Sequence, residues 1–271
     1  MPDRLKAMPT LLLSPRYTAD SRTLRTAAGV AGWGVERLGG WRAPGRLRDR
    51  DVVLYGEPLF VEVIAAQLGR AMLDAPADWL PNLPEHHRKR RIETTTLGEA
   101  RTRKGPAFVK PADGRKGFEG AVYTNGAGLP DARPDDTPVL VADPVTWEVE
   151  FRCFVLEGQV ATLSPYLREG ELAQTDDGHW PASPAELSQA QDYVAELLAE
   201  IDVPPAIVID VGRIDGHGWA VVEANSAWGA GVYGCDPTRV LDVLARACVP
   251  RASLTPNDTR WATDPVELDD R

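Results

Sequence analysis

The sequence predicts a mixed α/β protein in which an N-terminal α/β domain with a parallel sheet precedes two α+β lobes. Short apolar runs alternate with apolar residues at helical spacing between residues 11 and 73, a pattern that is typical of parallel α/β units. A glycine-rich stretch lies between two short strand-like runs over residues 107–123. Two later apolar runs carry the acidic side chains of Asp210 and Glu223. These runs indicate a second sheet that bears a functional site.

The N-terminal domain is predicted to span residues 1–85. Its strands are expected at residues 11–14, 35–38 and 51–56, and its helices at residues 21–31 and 59–73. Ser21 is the candidate N-cap of the first helix. Residues 75–84 carry three prolines, so they form the expected connection to the next domain.

Two lobes and a tail are predicted to follow. The lobe at residues 86–145 has a short helix at 96–100 and strands at 107–110, 121–123 and 139–141. The lobe at residues 146–250 has strands at 149–156 and 159–166, helices at 184–200 and 237–248, and strands around Asp210 and Glu223. The polar, acidic tail at 251–271 is expected to be loose and dispensable for ligand binding, with Trp261 as its one anchor.

Composition places the chain among ordinary globular proteins. It has 271 residues, of which 43% are hydrophobic and 26% charged, enough for one large or two modest domains. A net charge of −10 argues against a general nucleic-acid-binding surface. No apolar stretch approaches the ~20 residues of a membrane helix, and the apolar run 11–13 is too short for a signal peptide. Three widely spaced cysteines match no zinc pattern and favour a reducing, cytoplasmic location.

A basic run at residues 86–91, His-His-Arg-Lys-Arg-Arg, stands out against the acidic background. It is either a solvated loop or helix end, or a segment that faces phosphate groups. The sequence leaves both interpretations open.

Asp210, Glu223 and Asn225 are predicted to bind a metal ion. Side chains alternate faces along a strand, so Glu223 and Asn225 share a face, and glycines between them and Asp210 favour a hairpin. Carboxylate and amide oxygens suit Mg²⁺, which usually also takes oxygens from substrate phosphates. Lys110, in the run Phe-Val-Lys-Pro, would supply a positive charge for those phosphates. The alternative is structural, because Asp and Asn also form turns and a buried Glu can pair with an arginine.

Two further features fit a nucleotide site. In the glycine-rich stretch 114–120, missing side chains let backbone N–H groups approach an anion. Strands flank this stretch, so it is expected to be a hairpin lid and not a P-loop. Glu150 and Arg152 lie two residues apart, hence on one face of a strand. They either bind ribose hydroxyls and a phosphate oxygen or form a cross-strand ion pair.

Taken in order, Val-Lys-Pro at Lys110, the glycine-rich lid, Glu-Phe-Arg at Glu150, Asp210 and Glu-Ala-Asn at Glu223 resemble the ATP-grasp superfamily. The pattern is most similar to the branch with D-alanine–D-alanine ligases and ribosomal-protein glutamate ligases. It looks closest to small ATP-grasp proteins that also have a downstream Gly-x-Tyr, here residues 231–233. The resemblance covers roughly residues 90–235.

This resemblance implies a role for each matching residue. Lys110 would bind the α- and β-phosphates under a lid that includes Gly114 and Gly117, and Lys116 would reach the terminal phosphate. Asp210, Glu223 and Asn225 would hold Mg²⁺, with Mn²⁺ as a substitute. The remaining roles are adenine recognition by backbone, ribose binding, and stabilisation of the transferring phosphoryl group, assigned respectively to Val141, Ala142 and Asp143, to Glu150, and to Arg152 and Arg213.

Two positions depart from the family pattern. Many relatives have a further phosphate-binding lysine before the central strand, where this chain has Arg90 and Arg91; Arg91 is taken as the candidate, and the choice between them stays open. The D-alanine ligases have an arginine two residues before the metal-binding Asp, where this chain has Val208. Arg152 is therefore expected to take over that role.

The resemblance implies an ATP-dependent carboxylate–amine ligase that forms an amide or peptide bond through an acyl-phosphate and releases ADP and phosphate. Its substrates would be small molecules or short peptides that bear a carboxylate and an amine. The alternatives are an ATP-grasp phosphotransferase that acts on a hydroxyl, and a non-catalytic ATP-binding module. Tyr166 and Trp41 are expected to pack in the core and not to bind substrate.

Overall fold

The structure is a computed structural model that describes residues 8–112 and 117–266. Within these ranges the strands are β1 Thr10–Leu13, β2 Gly34–Arg37, β3 Val52–Tyr55, β4 Arg70–Met72, β5 Ile92–Thr96, β6 Ala107–Pro111, β7 Ala121–Tyr123, β8 Pro138–Ala142, β9 Trp147–Leu156, β10 Gln159–Arg168, β11 Glu171–Leu172, β12 Ala206–Ile214, β13 Gly218–Asn225 and β14 Cys248–Pro250. The α-helices of the same ranges are α1 Ala19–Val30, α2 Pro58–Gln67, α3 Trp79–Asn82, α4 Glu85–Arg88, α5 Leu97–Arg101, α6 Pro184–Glu200, α7 Pro237–Ala247 and α8 Pro256–Thr259. None of these described helices is both long and apolar enough to cross a membrane.

The N-terminal residues form a three-stranded parallel sheet in the order β2-β1-β3. The central strand β1 is fully buried at Leu11, Leu12 and Leu13, which explains why it reads as an uninterrupted apolar run. The predicted parallel sheet is confirmed.

Helix α1 has its N-cap three residues before the predicted one. The N-cap is Thr18, whose Oγ1 accepts a hydrogen bond from the Ser21 N–H at 3.0 Å, while Ser21 Oγ accepts from the Thr18 N–H at 3.0 Å. Ser21 is thus the reciprocal partner in a capping box and not the cap itself. The prediction of Ser21 as N-cap was wrong.

Helix α2 ends at Gln67, six residues before its predicted end. Gly69 adopts a positive φ of 64°, which a glycine tolerates without strain and which stops a helix. Residues 70–72 then form β4, which pairs with β14 near the end of the chain. The apolar residues of this segment satisfied the helical spacing, but they serve a strand.

The central lobe contains a four-stranded antiparallel sheet in the order β5-β8-β6-β7. Strand β6 carries Lys110, and β8 ends at Ala142 where the chain crosses to the next lobe. Strand β5 was not predicted, because its sequence Ile-Glu-Thr-Thr-Thr has one large apolar residue and depends on β-branched threonines.

The C-terminal lobe contains a five-stranded sheet in the order β11-β10-β9-β12-β13, in which each neighbouring pair is antiparallel. Alternate residues of β12 face opposite sides. Val208 packs into a core shared with Leu54 of β3 and Leu244 of α7, whereas Ile209 packs towards Val194 of α6. Asp210 has the parity of Val208, so it lies on the face that adjoins the N-terminal domain.

The tail is packed as far as the structure describes it, so the expectation of a loose tail was wrong for residues 251–266. Trp261 joins the core cluster that contains Leu73 and Trp79, and Ala262 forms a bridge with Leu73. Asp258 is buried and accepts hydrogen bonds from Thr255. Few apolar residues suffice here because one tryptophan and a capped helix turn carry the docking.

Candidate functional site

Arg152 and Asp210 form a buried ion pair at the centre of the five-stranded sheet. They are direct partners in the antiparallel register of β9 and β12. Arg152 Nε donates to Asp210 Oδ1 at 2.9 Å, and Nη2 donates to Oδ2 at 2.6 Å. Burial raises the pKa of Asp210, and the Arg152 guanidinium opposes that rise. Two parallel charge-assisted hydrogen bonds fix the orientation of both side chains.

Glu223 and Asn225 extend this row onto the next strand. Glu223 is the register partner of Asp210 on β13, and partners in an antiparallel pair project to the same face. Asn225 Nδ2 donates at 3.0 Å both to Asp210 Oδ2 and to Glu223 Oε1. The structure therefore brings together all three residues that the sequence identified as metal ligands.

Lys110 reaches this row from the other lobe. Its Nζ donates to Glu223 Oε2, so a salt bridge joins β6 to β13. Burial favours the neutral acid, but Lys110 and Asn225 lower the pKa of Glu223 to about 2. The side chains of Lys110 and Glu223 keep 24% and 28% of their surface exposed, which leaves them open to a ligand from the cleft between the lobes.

The donor set of this row fits Mg²⁺. Two carboxylates and one amide oxygen are hard oxygen ligands, and Mg²⁺ is commonly held by one or two carboxylates together with substrate phosphates. In the structure the amide nitrogen of Asn225 faces the carboxylates. A cation between Glu223 and Asn225 would instead require the amide oxygen, so Asn225 would have to rotate its side-chain amide.

Glu150 lies two residues from Arg152 on the same face of β9. It is buried and accepts a hydrogen bond from the Tyr166 hydroxyl at 2.7 Å. Burial raises the pKa of Glu150 to about 7, and the hydrogen bond from Tyr166 limits the rise. The expectation that Tyr166 only packs was wrong. The β9–β10 register shifts between Pro165 and Leu167, and no local sequence signal marks this irregularity.

Aromatic rings enclose Arg152. The rings of Tyr166 and Tyr233 stack with centroids 5.2 Å apart, and the Arg152 guanidinium lies 5.2 Å from the first centroid and 4.8 Å from the second. Arg152 Nη1 also donates to the carbonyl of Gly231 at 3.2 Å. The Gly-x-Tyr motif thus contacts the arginine that the sequence assigned to phosphoryl transfer.

The N-terminal domain holds the loop that contains this motif. The Tyr55 hydroxyl donates to the carbonyl of Ala230 at 2.9 Å, and the backbone N–H of Val232 donates to Asp20 Oδ1 at 3.1 Å. Both contacts come from the C-terminal side of the parallel sheet, where open α/β sheets bind ligands.

Arg90 and Arg91 have different surroundings. Arg90 donates to the carbonyls of Val221 and Val222 at 2.8 and 3.0 Å, and its guanidinium lies 4.9 Å from the ring centroid of Trp147. Burial lowers the pKa of Arg90 to about 10. Arg91 pairs with Glu93, and 69% of its side chain is exposed. The structure places Arg90, and not the sequence candidate Arg91, against the strand that carries the metal ligands.

The expected adenine-recognition segment has most of its backbone engaged. Val141 and Ala142 pair with β5 on one side and β6 on the other. The Asp143 N–H donates to the carbonyl of Arg91 at 3.0 Å. Beyond this segment a cleft of about 790 Å³ is lined by residues 145–148, Glu150, residues 168–170, Arg213 and Asp215.

Arg213 lies in that cleft and not in the Arg152–Asp210–Glu223 row. It pairs with Glu148, so its charge serves the Glu150 end of the site. Gly114 and Lys116 lie outside the described residues, whereas Gly117 lies within them. A side chain at Gly120 would come within 3.0 Å of Lys110 Cβ, so the end of the glycine-rich stretch lies close against Lys110.

Asp74 is a residue near the site that sequence reasoning missed. Its Oδ2 accepts a hydrogen bond from the hydroxyl of Ser226, the neighbour of Asn225. Burial raises the pKa of Asp74 to about 6. A lone aspartate ahead of a proline-rich connection carries no sequence signal for this contact.

Residues 87–243, more than half of the chain, match the model of a family of ATP-grasp domains, which is the second family of its clade. No curated protein matches the sequence significantly.

Three solved structures have a similar fold. A D-cycloserine synthetase has 14% identity and a TM-score of 0.54 over 88% of this chain and 98% of that one. The D-alanine–D-alanine ligase of Bacillus anthracis has 12% identity and a TM-score of 0.51 over 89% and 97%. The N5-carboxyaminoimidazole synthetase of Staphylococcus aureus, complexed with ADP, has 12% identity and a TM-score of 0.50 over 90% and 78%. At these identities the likeness shows the fold.

Proposed function

The chain belongs to this family of ATP-grasp domains, and from this premise we propose that it is an ATP-dependent carboxylate–amine ligase. The resemblance inferred from the sequence motifs is thereby confirmed at the level of the family. In the proposed reaction, an oxygen of the substrate carboxylate attacks the γ-phosphorus of ATP, and ADP leaves. The amine nitrogen then attacks the acyl carbon, phosphate leaves, and the nitrogen loses a proton.

One observation carries the proposal: Lys110 of the central lobe meets Glu223 of the C-terminal lobe at a row of hard oxygen ligands. A triphosphate with its metal ion needs both a cation and carboxylate oxygens at one point. Asp210, Glu223 and Asn225 would hold Mg²⁺, which when bound would neutralise charge on the phosphoryl group. Lys110 would exchange its contact with Glu223 for one with a phosphate oxygen.

Arg152 is suited to the transferring phosphoryl group. Its guanidinium is oriented by Asp210, the carbonyl of Gly231 and two aromatic rings. An arginine held in this way can stabilise developing negative charge without reorganising in the transition state. This supports the role that the family pattern implied for an arginine beside the metal-binding Asp.

The nucleoside would occupy the cleft beside the crossing between the lobes. Glu150 and Arg213 line this cleft, and its volume of about 790 Å³ exceeds what a nucleoside needs. The Glu150 carboxylate would accept hydrogen bonds from ribose hydroxyls. The backbone of Val141, Ala142 and Asp143 would contact the adenine. Gly114, Gly117 and Lys116 would cover the phosphates.

The acceptor substrates would be small molecules or short peptides that bear a carboxylate and an amine. They would bind between the metal row and the N-terminal domain, where Asp20 and Tyr55 already contact the loop after Asn225. We place the reaction in the cytoplasm, because Cys153, Cys235 and Cys248 are free and buried.

The test is ADP release with pooled amino acids and short peptides, in the presence and absence of hydroxylamine. A ligase requires a carboxylate substrate, and hydroxylamine replaces the amine and traps the acyl-phosphate as a hydroxamate. Phosphorylated product from a hydroxyl substrate, with no hydroxamate under any condition, would identify a phosphotransferase. ATP binding without ADP release from any pool would identify a non-catalytic module.

A further inference from the structure

His86 and His87 direct a ring nitrogen at the same carboxylate oxygen, far along the chain. Nε2 of His86 lies 2.9 Å and Nε2 of His87 lies 3.0 Å from Glu200 Oε2. One ligand atom from each of the three residues lies within 4.8 Å of the others. Consecutive side chains on a regular helix diverge by about 100°. Here the helix is the single turn α4, which ends at Lys89 with a left-handed φ of 48°, and the two rings converge.

The spacing is close to that of a tetrahedral zinc site. Zinc binds imidazole nitrogen and carboxylate oxygen at about 2.0–2.2 Å in a tetrahedron, which sets neighbouring ligand atoms about 3.3 Å apart. The two nitrogen–oxygen distances are shorter than this by a few tenths of an ångström. Two imidazoles and a carboxylate are also the donors that select zinc and similar ions over Mg²⁺.

A neighbouring tyrosine supports the buried histidine. His87 is only 1% exposed, and the Tyr193 hydroxyl lies 3.4 Å from His87 Nδ1 while it donates to the His87 carbonyl at 3.2 Å. A histidine that binds a metal through one ring nitrogen usually has a hydrogen-bond partner at the other. His86 and Glu200 are exposed, so an ion can enter from solvent.

The position of Glu200 favours a cation. It is the last residue of α6, and the last turn of this helix has no basic residue. The C-terminal end of a helix carries partial negative charge, and the Glu200 carboxylate adds to it. A divalent ion between Glu200 and the histidines would offset both.

From this geometry we propose a zinc site formed by His86, His87 and Glu200, with water at the fourth position. The site joins α4 to the end of α6 and is separate from the proposed magnesium site. It anchors the segment that leads to Arg90, which contacts the carbonyls of Val221 and Val222 beside Glu223. The competing interpretation is a salt bridge between protonated histidine and Glu200 that needs no metal.

The experiment is a titration of the chelator-treated full-length protein with Co²⁺ and then Zn²⁺, in excess Mg²⁺ that occupies sites of oxygen ligands. The matched control is His179→Ala, because His179 is an exposed histidine 3.7 Å from the carboxylate of Asp177. His86→Ala and Glu200→Gln each change an exposed side chain, so both variants should fold.

We expect one equivalent of Co²⁺ with the visible absorption of a four-coordinate site, and displacement by Zn²⁺. His86→Ala and Glu200→Gln should each weaken binding at least about tenfold and abolish the rise in Tm on zinc addition, whereas His179→Ala should match wild type. Absence of stoichiometric binding, or wild-type affinity in either variant, would overturn the proposal. A thiolate charge-transfer band would overturn it as well, because the ion would then be held by cysteine.

Discussion

Arg152 and Asp210 lie directly opposite each other across β9 and β12 and share two hydrogen bonds, in a place where Asp210 has no exposed surface. Either charge alone would be buried without compensation. The pair is therefore a structural element of the sheet as well as a component of the proposed phosphoryl-transfer site.

Arg152→Ala should lower the free energy of unfolding by about 3–5 kcal/mol, the usual cost of leaving one partner of a buried pair uncompensated. Asp210→Asn in the same background should recover part of the loss, because it removes the unpaired charge. Urea unfolding of both variants measures this. Arg213→Ala is the control: its pair with Glu148 is more than a third exposed on both sides, so the cost should stay below about 1 kcal/mol. Equal losses at Arg152 and Arg213 would show that the buried pair has no special weight.

Lys110→Ala should weaken binding of a non-hydrolysable ATP analogue with Mg²⁺ by at least about tenfold, since a hydrogen bond to a charged group is worth about 1.5–3 kcal/mol. Calorimetric titration measures the affinity. Lys104→Ala is the control, because Lys104 is an exposed lysine of the same lobe. An unchanged affinity in Lys110→Ala would remove this residue from the site.

Glu223→Gln should abolish metal-dependent ADP release and leave Tm nearly unchanged. The amide keeps the shape of the side chain and can still accept from Lys110 and Asn225, but it loses the charge that binds Mg²⁺. Glu36→Gln is a matched control, because Glu36 also pairs with a basic residue and its side chain is likewise 28% exposed. A large fall in Tm with normal metal dependence would instead identify Glu223 as a structural ion-pair residue.

Stability should fall between about pH 4.5 and pH 7 because of Glu150. In the folded protein its pKa is about 7, whereas its usual value is 4.5. Within this window the unfolded chain has released the proton and the folded protein still holds it, so rising pH favours unfolding. Below the window both states are protonated, and above it both are ionised. The full loss is on the order of 3 kcal/mol.

Glu150→Gln should flatten this part of the pH profile of Tm, and Tyr166→Phe should extend the decline to higher pH, because it removes the hydrogen bond that favours the carboxylate. The three profiles are measured by thermal unfolding between pH 4 and 9. If Glu150→Gln has the same slope as wild type, Glu150 is not the group that titrates.

The metal ligands could be predicted from the sequence because they depend on simple alternation. Glu223 and Asn225 share a face in any regular strand, and Asp210 ends an apolar run that had to pair nearby. The parallel sheet was predictable for a similar reason, since its buried central strand is a run of three leucines. Local pattern and tertiary structure agree at these positions.

Other contacts of the site depend on register, which sequence pattern does not specify. The β12–β13 pairing shifts after Asp210, so that Val222 has no partner, and the carbonyls at this bulge accept from Arg90. Tyr166 lies at a second irregularity, beside Glu150. The contact of Asp74 with Ser226 joins residues 152 positions apart. Such contacts arise only when the domains pack.

Truncation after Pro250 should destabilise the protein and also weaken nucleotide binding, which reverses the expectation from the tail's composition. The carbonyl of Trp261 accepts from the backbone N–H of Asp74 at 2.9 Å, and Asp74 accepts from Ser226 beside the proposed ligand Asn225. Removal of the tail therefore frees the segment that orients the metal row.

Trp261→Ala isolates this effect from loss of the whole tail. Trp261 is 9% exposed, and replacing a buried tryptophan with alanine typically costs about 3–5 kcal/mol. Trp41→Ala is the control, because Trp41 is 52% exposed and should cost much less. Thermal unfolding and analogue titration on both variants test the two consequences separately. Wild-type Tm and affinity in Trp261→Ala would mean that the tail does not hold Asp74. A loss of Tm with unchanged affinity would mean that the tail stabilises the core without orienting the site.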